Sequence, residues 1–429
     1  MNAFTGELLQ PPMLRFHYSS TSARHPDARK GLKLYGPYDS GLLGKDRIHA
    51  AVIFPAQHTK EKNVLVNGLR DGYYSDHGSF AGFSSFFRIP LSVESERPIS
   101  AEDEREVRRV IRGLSREGDV DLVLILTSSE KGTLYQTVKR ELLGNGIPNQ
   151  VVTVEKMRNT RQISWVLENI ALACYAKIGG TPWVVASESD QRELVIGISR
   201  AQDRTKQFVV GFVTLFTQDG DFLFLHSLAP VLEWEREKYV ERLAHLIIEA
   251  YHEYCWIQGS PDADAIILHF CKRPGRFREI EAIERALQQI GDSVPYALLH
   301  LNDDSSYRLF DASHATYIPP SGLKVELSRR NSLLLLDGRV GDRRYRRGVP
   351  RVLDITMDRR STMSADEFPR LVYQIYNFAR VNWRGFNARA VPVTLNYSYL
   401  IARIIVEIGA NTWNQVISAG RLRDKAWFL

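Results

Sequence analysis

Hydrophobic and polar positions follow one pattern before residue 180 and another after it. In the first part, apolar runs typical of buried strands occur at 48–54, 120–127 and 150–154. Charged and apolar residues mix at helical spacing at about 101–114, 131–143 and 161–177. Strands that alternate with helices predict a parallel, doubly wound α/β sheet.

After residue 180, strand patterns follow one another directly, at about 194–199, 207–217 and 221–228. The last two are joined through Gln218, Asp219 and Gly220, a good hairpin turn. Helices are predicted near 233–256, 276–290 and 364–380, and strands at 264–271, 296–302 and 323–336. This order predicts a mixed sheet with helices packed on it. We therefore predict a polar lead-in segment over 1–40 and two domains over 41–180 and 181–429.

Composition narrows the class of protein without identifying it. The 429 residues are 44% hydrophobic, enough for two or three domains with separate cores. A net charge of +6 makes a nucleic-acid partner plausible. No stretch approaches the roughly 20 apolar residues of a membrane span, and we expect a cytoplasmic protein. Cys174, Cys255 and Cys271 are widely spaced and odd in number, which argues against a disulfide framework or a zinc site.

Four side chains are candidates for an anion site. Tyr135 and Lys139 are four residues apart and would share one helix face, which taken alone is most simply a solvated surface. Gln150 begins a predicted strand, and Lys177 ends a predicted helix before Gly179 and Gly180. Two ammonium groups supply charge, while the phenol and the amide supply directed hydrogen bonds. Together the four suit a terminal phosphate.

These residues resemble the Tyr-Lys-Gln-Lys site that holds the guide 5′ phosphate in the MID domain of Argonaute proteins. The segments 382–386 (Asn-Trp-Arg-Gly-Phe), 392–397 (Pro-Val-Thr-Leu-Asn-Tyr) and 427–429 (Trp-Phe-Leu) resemble the end of a PIWI domain. The resemblance covers roughly residues 35–429. It implies a Rossmann-like MID domain over 41–180, followed by a ribonuclease H-like PIWI domain over 181–429.

The resemblance also implies a cation at the guide end. In Argonautes the last carboxylate turns back into the pocket and helps to hold a divalent cation, which makes Leu429 a candidate ligand for Mg²⁺ or Mn²⁺. A relative of this size has Gln four residues before the second pocket lysine, where this chain has Ala173, and this departure weakens the expectation. The terminal Trp-Phe-Leu could also be an apolar tail packed on the core.

Cleaving Argonautes hold two metal ions with four acidic or His ligands. The resemblance aligns three of these positions with Ser199, Cys271 and Tyr399, and we could not place the fourth. A hydroxyl carries no charge, and a thiol is a poor magnesium ligand. We therefore predict that the PIWI domain does not cut, unless the alignment is wrong and the acids lie elsewhere. His269 fits a structural strand residue better than a base.

Basic residues could hold the guide or the target backbone. Arg384 and Arg389 are interleaved with Trp383 and Phe386, and Lys272 and Arg273 follow the degenerate site. The densest positive charge lies between Arg339 and Arg351, where a nucleic-acid or protein contact and a solvated loop remain equally open.

The chain resembles a short prokaryotic Argonaute, without the N and PAZ domains. The resemblance implies a guide-dependent sensor in prokaryotic defence, which binds a short 5′-phosphorylated guide RNA and recognises complementary invader DNA. It would then activate a partner that carries a PAZ-like domain and a sirtuin-like, TIR or nuclease effector. Two alternatives stay open: a guide-directed endonuclease with non-standard ligands, and a stand-alone protein that acts by occlusion.

Overall fold

The computed structural model describes residues 4–100, 103–118, 120–129, 133–187, 191–270, 278–291, 293–339 and 349–429. Its strands are β1 (Thr5–Leu8), β2 (Leu14–Arg15), β3 (Arg24–His25), β4 (Ile48–Pro55), β5 (Tyr73–Ser75), β6 (Gly78–Phe80), β7 (Leu91–Ile99), β8 (Leu122–Thr127), β9 (Asn149–Thr153), β10 (Val184–Val185), β11 (Glu193–Gln202), β12 (Phe208–Phe216), β13 (Phe222–Ser227), β14 (Val231–Leu232), β15 (Ala265–Phe270), β16 (Tyr296–Asn302), β17 (Leu323–Ser328), β18 (Asn331–Leu334) and β19 (Leu353–Met357).

The α-helices are α1 (Ala28–Tyr35), α2 (Thr59–Arg70), α3 (Phe83–Phe87), α4 (Glu104–Glu117), α5 (Thr133–Gly144), α6 (Val154–Arg158), α7 (Ile163–Lys177), α8 (Arg236–Gln258), α9 (Glu279–Ile290), α10 (Phe368–Phe378), α11 (Val393–Ile408) and α12 (Ala410–Ser418). Short 3₁₀ helices lie at Ala56–His58 and Ala365–Glu367.

Contacts divide the chain into two units, each discontinuous in sequence. The parallel-sheet unit contains Leu14–Val184, Trp383–Phe386 and Ile404–Leu429. The mixed-sheet unit contains Met1–Met13, Val185–Asn382 and Asn387–Arg403. This division by contacts differs from the predicted segments 1–40, 41–180 and 181–429. The lead-in is shared between the units, and the last residues join the first unit.

The lead-in and the tail have physical reasons for joining the units. Strand β1 pairs antiparallel with β17 in the mixed sheet, so the first residues are a sheet edge. In the tail, the indole rings of Trp413 and Trp427 are both buried and lie 5.9 Å apart. The pattern of hydrophobic residues predicts local secondary structure only. It does not predict the pairing of β1 with β17 or the contact of Trp413 with other parts of its unit, because these contacts join distant segments.

The parallel-sheet unit is built on four strands in the order β7-β4-β8-β9, all parallel. All six residues of β8 are buried, as expected for a strand covered by helices on both faces. Apolar residues of α4 and α5, such as Val107 and Val138, pack with Ile53 and Ile125 of the strands. The predicted α/β class is confirmed, although α2 and β7 were not predicted.

The mixed-sheet unit has the strand order β1-β17-β18-β19-β16-β15-β11-β12-β13, with β14 beside β12. Strands β11, β15 and β16 are parallel neighbours. Residues of α8 and α9, such as Ile247 and Ile283, pack with Ile196 and Leu268 of the sheet. The predicted strand at 323–336 is a hairpin of β17 and β18, and β19, α11 and α12 were not predicted.

Helix length and the cysteines complete the description of the two units. In the described ranges, no single helix is long and apolar enough to cross a membrane, and only the pair α11 and α12, bent by 118°, passes that test of length and composition. Cys174 and Cys255 are free and buried, and Cys271 lies outside the described residues.

Candidate nucleic-acid interface

Helix α5 places Tyr135 and Lys139 together. The Lys139 Nζ atom lies 5.8 Å from the centre of the Tyr135 ring, as the four-residue spacing predicts. Tyr135 packs partly against the core of the parallel-sheet unit, and the Lys139 side chain is buried. The pair is therefore at least partly buried and does not form a solvated helix face.

Lys177 ends α7 with 1% of its surface exposed. Its Nζ donates a hydrogen bond of 2.9 Å to the main-chain oxygen of Asn149, the residue before Gln150. This bond brings the end of α7 to the start of β9, where Gln150 is the next residue. Helix α7 ends there because Gly179, two residues on, adopts a φ of +104°, which favours glycine.

The site concentrates positive charge. The pKa of Lys177 lies well below its ordinary value, first because burial penalises the ammonium form and then because Lys139 is close. Cys174 opposes this lowering of the pKa, and Arg384, a smaller cause, adds to it. The hydrogen bond of Lys177 goes to a neutral carbonyl, which does not compensate its charge. An anion entering the site would relieve this repulsion.

Two amide oxygens at the start of β9 have no hydrogen-bond partner among the described residues. They are Oδ1 of Asn149, which is fully buried, and Oε1 of Gln150. The Gln150 amide nitrogen donates to the main-chain oxygen of Val151 at 3.0 Å, which fixes the orientation of the amide. Asn149 was not predicted, since a buried Asn at the start of a strand has no distinctive sequence pattern.

The aromatic segment 383–386 positions Arg384. The Trp383 indole is buried and donates to the main-chain oxygen of Trp183 at 3.1 Å. The Phe386 ring stacks on the Trp183 ring, 5.9 Å between centres. Arg384 lies between these anchors with an exposed side chain. Arg389, which we grouped with Arg384, belongs to the mixed-sheet unit, where its main-chain nitrogen donates to Ala379.

The tail packs on the parallel-sheet unit. Gln415 of α12 approaches Gly144 at the end of α5, and Trp427, Phe428 and Leu429 are buried. The alternative of an apolar packed tail therefore describes what the structure contains. Packing is compatible with metal ligation by the Leu429 carboxylate, which stays a prediction.

Two of the three catalytic positions that we predict to be degenerate lie within the described residues. Ser199 lies near the end of β11, and Cys271, after β15, is outside the described residues. Because β11, β15 and β16 are parallel, their carboxyl ends share one edge of the sheet. The Tyr399 hydroxyl, on α11, donates to Asp303 Oδ1 at 2.8 Å, just beyond the end of β16. Asp303 was not predicted, because its partner is 96 residues away.

His269 is buried in β15, and its Nδ1 lies 3.0 Å from Thr394 Oγ1. Burial lowers the pKa of the imidazole to about 3, so the ring is neutral at physiological pH. Its position is that of a structural strand residue. In the described part of the chain, no group of three or more His, Cys, Asp or Glu side chains is arranged to hold a metal ion.

The remaining basic candidates are only partly described. Lys272 and Arg273 lie outside the described residues, as does 340–348 of the basic stretch. At its two ends, Arg339 pairs with Asp311 at 3.1 Å, and Arg351 lies 3.8 Å from Asp304.

Comparison with known proteins finds relatives that are similar over most of the chain. The model of the Piwi domain matches residues 121–408. The chain is 25% identical to a Piwi protein of Archaeoglobus fulgidus over 423 residues, covering 93% of each chain. It is 23% identical to a protein argonaute of Cereibacter sphaeroides, covering 97% of this chain and 58% of that one.

A solved structure gives the same result at the level of the fold. Clostridium butyricum Argonaute, bound to a guide DNA and a 19-mer target DNA, superposes with a TM-score of 0.74 at 16% identity. The match covers 94% of this chain and 53% of that one. The chain thus spans little more than half the length of that Argonaute.

Proposed function

Because the chain belongs to the Piwi domain family, we propose that it binds the 5′-phosphorylated end of a short guide RNA in the pocket formed by Tyr135, Lys139, Gln150 and Lys177. The observation that carries the proposal is the buried ammonium of Lys177, which has a neutral hydrogen-bond partner and like-charged neighbours. Burying a charge without compensation is unfavourable unless a ligand supplies the opposite charge. A terminal phosphate does so and accepts several hydrogen bonds.

The test compares two fluorescent guides that differ only at the 5′ end, one with a phosphate and one with a hydroxyl. We expect the phosphorylated guide to bind more tightly, and Lys139→Ala to remove most of the difference. Lys60→Ala is the matched control, since Lys60 is an exposed lysine on α2 of the same unit. Equal affinity of the two guides for the unsubstituted protein would contradict the pocket assignment.

We propose further that the protein recognises DNA complementary to the guide without cutting it. Base pairing would supply sequence specificity, while the protein contacts the backbone. The Ser199 hydroxyl carries no charge to hold a metal ion. The Tyr399 hydroxyl donates a hydrogen bond to Oδ1 of Asp303. A two-metal mechanism needs several hard anionic ligands at one place.

A cleavage assay tests this part directly. Protein, guide and labelled complementary target are incubated with Mg²⁺ or Mn²⁺, and we expect the target to remain intact. A cut at a fixed distance from the guide 5′ end would instead establish an endonuclease with unusual ligands.

The pocket also offers oxygen atoms to a divalent cation. Asn149 Oδ1 and Gln150 Oε1 are buried acceptors without partners among the described residues, whereas Ala173 contributes none. Oxygen ligands suit Mg²⁺ and Mn²⁺. Because successive side chains of a strand point to opposite faces, only one of these amide oxygens can face the guide. We propose that the Leu429 carboxylate, with the Gln150 amide oxygen, holds the cation once the guide is bound. When bound, it would neutralise part of the charge of the guide phosphates.

Cation binding is tested through guide affinity. Because Lys139 and Lys177 repel a free cation, we expect Mg²⁺ or Mn²⁺ to bind only with the phosphorylated guide. Chelation should weaken that guide and leave the 5′-hydroxyl guide unchanged. A Gly-Ser extension after Leu429 removes the free carboxylate of that residue. It should reduce the affinity for the phosphorylated guide by the same amount as chelation does. An affinity that does not respond to chelation would refute the cation.

Finally, we propose that the guide and target complex activates an effector in prokaryotic defence. The effector would be a protein with a PAZ-like domain fused to a sirtuin-like, TIR or nuclease domain. Co-expression with the product of the adjacent gene tests this. We expect a stable heterodimer whose NADase or nuclease activity requires both guide and target. Occlusion of the target by this chain alone, with no second polypeptide, would overturn it.

A further inference from the structure

Two glycine loops flank the pocket of the proposed function. One follows α5 and contains Gly146, with a φ of +71°, four residues before Gln150. The other follows α7 and contains Gly179, two residues after Lys177. Both glycines lack a Cβ atom, so another part of the chain can approach their backbone closely.

One short segment, 421–425, covers both loops. A Cβ atom built on Gly146 would lie 2.9 Å from Cδ and 3.0 Å from Cβ of Arg421. A Cβ atom built on Gly179 would lie 3.4 Å from Cγ of Lys425. The aliphatic stems of two cationic side chains therefore rest on the loops that carry the pocket residues. Long basic side chains bury their stems in this way and keep their charged ends in water.

Several other basic side chains of the same unit form ion pairs, whereas those of Arg421 and Lys425 form none within the described residues. Arg97 pairs with Glu117, Arg158 with Glu61, and Arg108 with Glu141. Arg421 is exposed and Lys425 half-exposed, and neither charged end has an ion-pair or hydrogen-bond partner in the described part of the chain. Asp424 lies between them, and with Arg423 the segment still carries an excess of positive charge.

We propose that Arg421 and Lys425 form a cationic rim that contacts the guide's backbone phosphates beyond the first. This inference rests on the proposed function. Lys139 and Arg384 lie close enough to Lys177 to affect its pKa, so these three charges would serve the first phosphate. The next phosphates of the strand would lie beside the flanking loops, where the rim adds charge. Such contacts strengthen binding without reading sequence and make it sensitive to salt.

The test uses Arg421→Met and Lys425→Met together, which keep the stems on the glycines and remove the charges. Each phosphate contact of a single strand contributes about 0.7 to the slope of log affinity against log salt concentration. We expect the double variant to lower that slope by about 1.4 for the phosphorylated guide. The ratio of affinities between the 5′-phosphate and 5′-hydroxyl guides should not change. Arg421→Lys with Lys425→Arg should restore the slope.

Controls separate the rim from the pocket. Arg112→Met, an exposed arginine on α4 of the same unit, should leave the slope unchanged. Uridine 5′-monophosphate, which has only the first phosphate, should bind the double variant as it binds the unsubstituted protein. An unchanged slope, or weaker binding of the mononucleotide, would overturn the rim. A protein that does not prefer the 5′-phosphate guide would refute the pocket instead, whatever the slope.

Discussion

The proposed phosphate pocket and the catalytic edge that we predict to be degenerate differ in the charge of their buried groups. In the pocket, Lys177 is buried beside like charges, and Asn149 Oδ1 and Gln150 Oε1 have no partner among the described residues. At the catalytic edge, the Tyr399 hydroxyl donates to Asp303, and His269 is neutral, with Nδ1 close to Thr394 and Nε2 without a partner among the described residues. A buried ammonium group with only a neutral partner can be completed by an anionic ligand, whereas a neutral imidazole has no charge to compensate.

The largest expected effect comes from Lys177→Met, which replaces a buried charge with an apolar side chain of similar length. Hydrogen bonds to charged groups contribute about 1.5–3 kcal/mol, so we expect about a 100-fold loss of affinity for the phosphorylated guide. The free protein should be as stable as before or more stable, because burying the Lys177 ammonium group or deprotonating it is unfavourable in the free protein. Fluorescence anisotropy and thermal melting measure the two quantities, with Lys60→Met as control. Weaker binding together with a lower melting temperature would indicate simple unfolding and remove the contrast.

His269 predicts how the mixed-sheet unit responds to acid. The folded pKa of about 3 lies below the ordinary unfolded value of about 6.5, so the unfolded chain binds the proton first. Its contribution to stability is complete above about pH 6.5 and declines as the pH falls, by about 1.4 kcal/mol for each pH unit. Denaturant unfolding between pH 7 and 5 measures it. In NMR spectra the His269 ring should not titrate in that range, and a titration near pH 6 would refute the assignment.

Guide binding should also take up a proton at Lys177. The pKa of the free lysine is lowered, and a phosphate beside it favours the ammonium form. The affinity for the 5′-phosphate should therefore fall as the pH rises above the pKa of the free lysine, by at most about tenfold per pH unit. Calorimetry at pH 8 in buffers with different ionisation enthalpies counts the protons. The 5′-hydroxyl guide serves as control, and an equal uptake for both guides would contradict a site at Lys177.

The smallest effect concerns Tyr399→Phe, which removes one hydrogen bond at the catalytic edge. We expect a loss of about 1 kcal/mol in the free energy of unfolding, since Asp303 loses its donor. Guide affinity should be unchanged. Chemical denaturation and anisotropy measure these quantities. A substantial loss of guide affinity would show that the degenerate edge still takes part in binding.

Local patterns predicted much of this fold, whereas contacts between distant segments were not predictable. Alternating strands and helices indicated the parallel sheet, because buried parallel strands are continuously apolar. The spacing of Tyr135 and Lys139 predicted a shared face, since helix geometry alone decides it. In contrast, the hydrogen bond from Lys177 to Asn149 closes a separation of 28 residues. Only the arrangement of β9 and α7 reveals that contact, and the same holds for Asp303 with Tyr399.

The division of the parallel-sheet unit has a consequence for how the protein is made. Residues 14–184 leave the ribosome first, but 404–429 pack on the same unit and emerge only after the mixed-sheet unit has been synthesised. Until then, residues 14–184 lack the segment that packs at the end of α5, where Gln415 approaches Gly144. A nascent chain could not present a finished pocket to a nucleic acid before residues 404–429 have been synthesised and packed, so guide loading would follow that step.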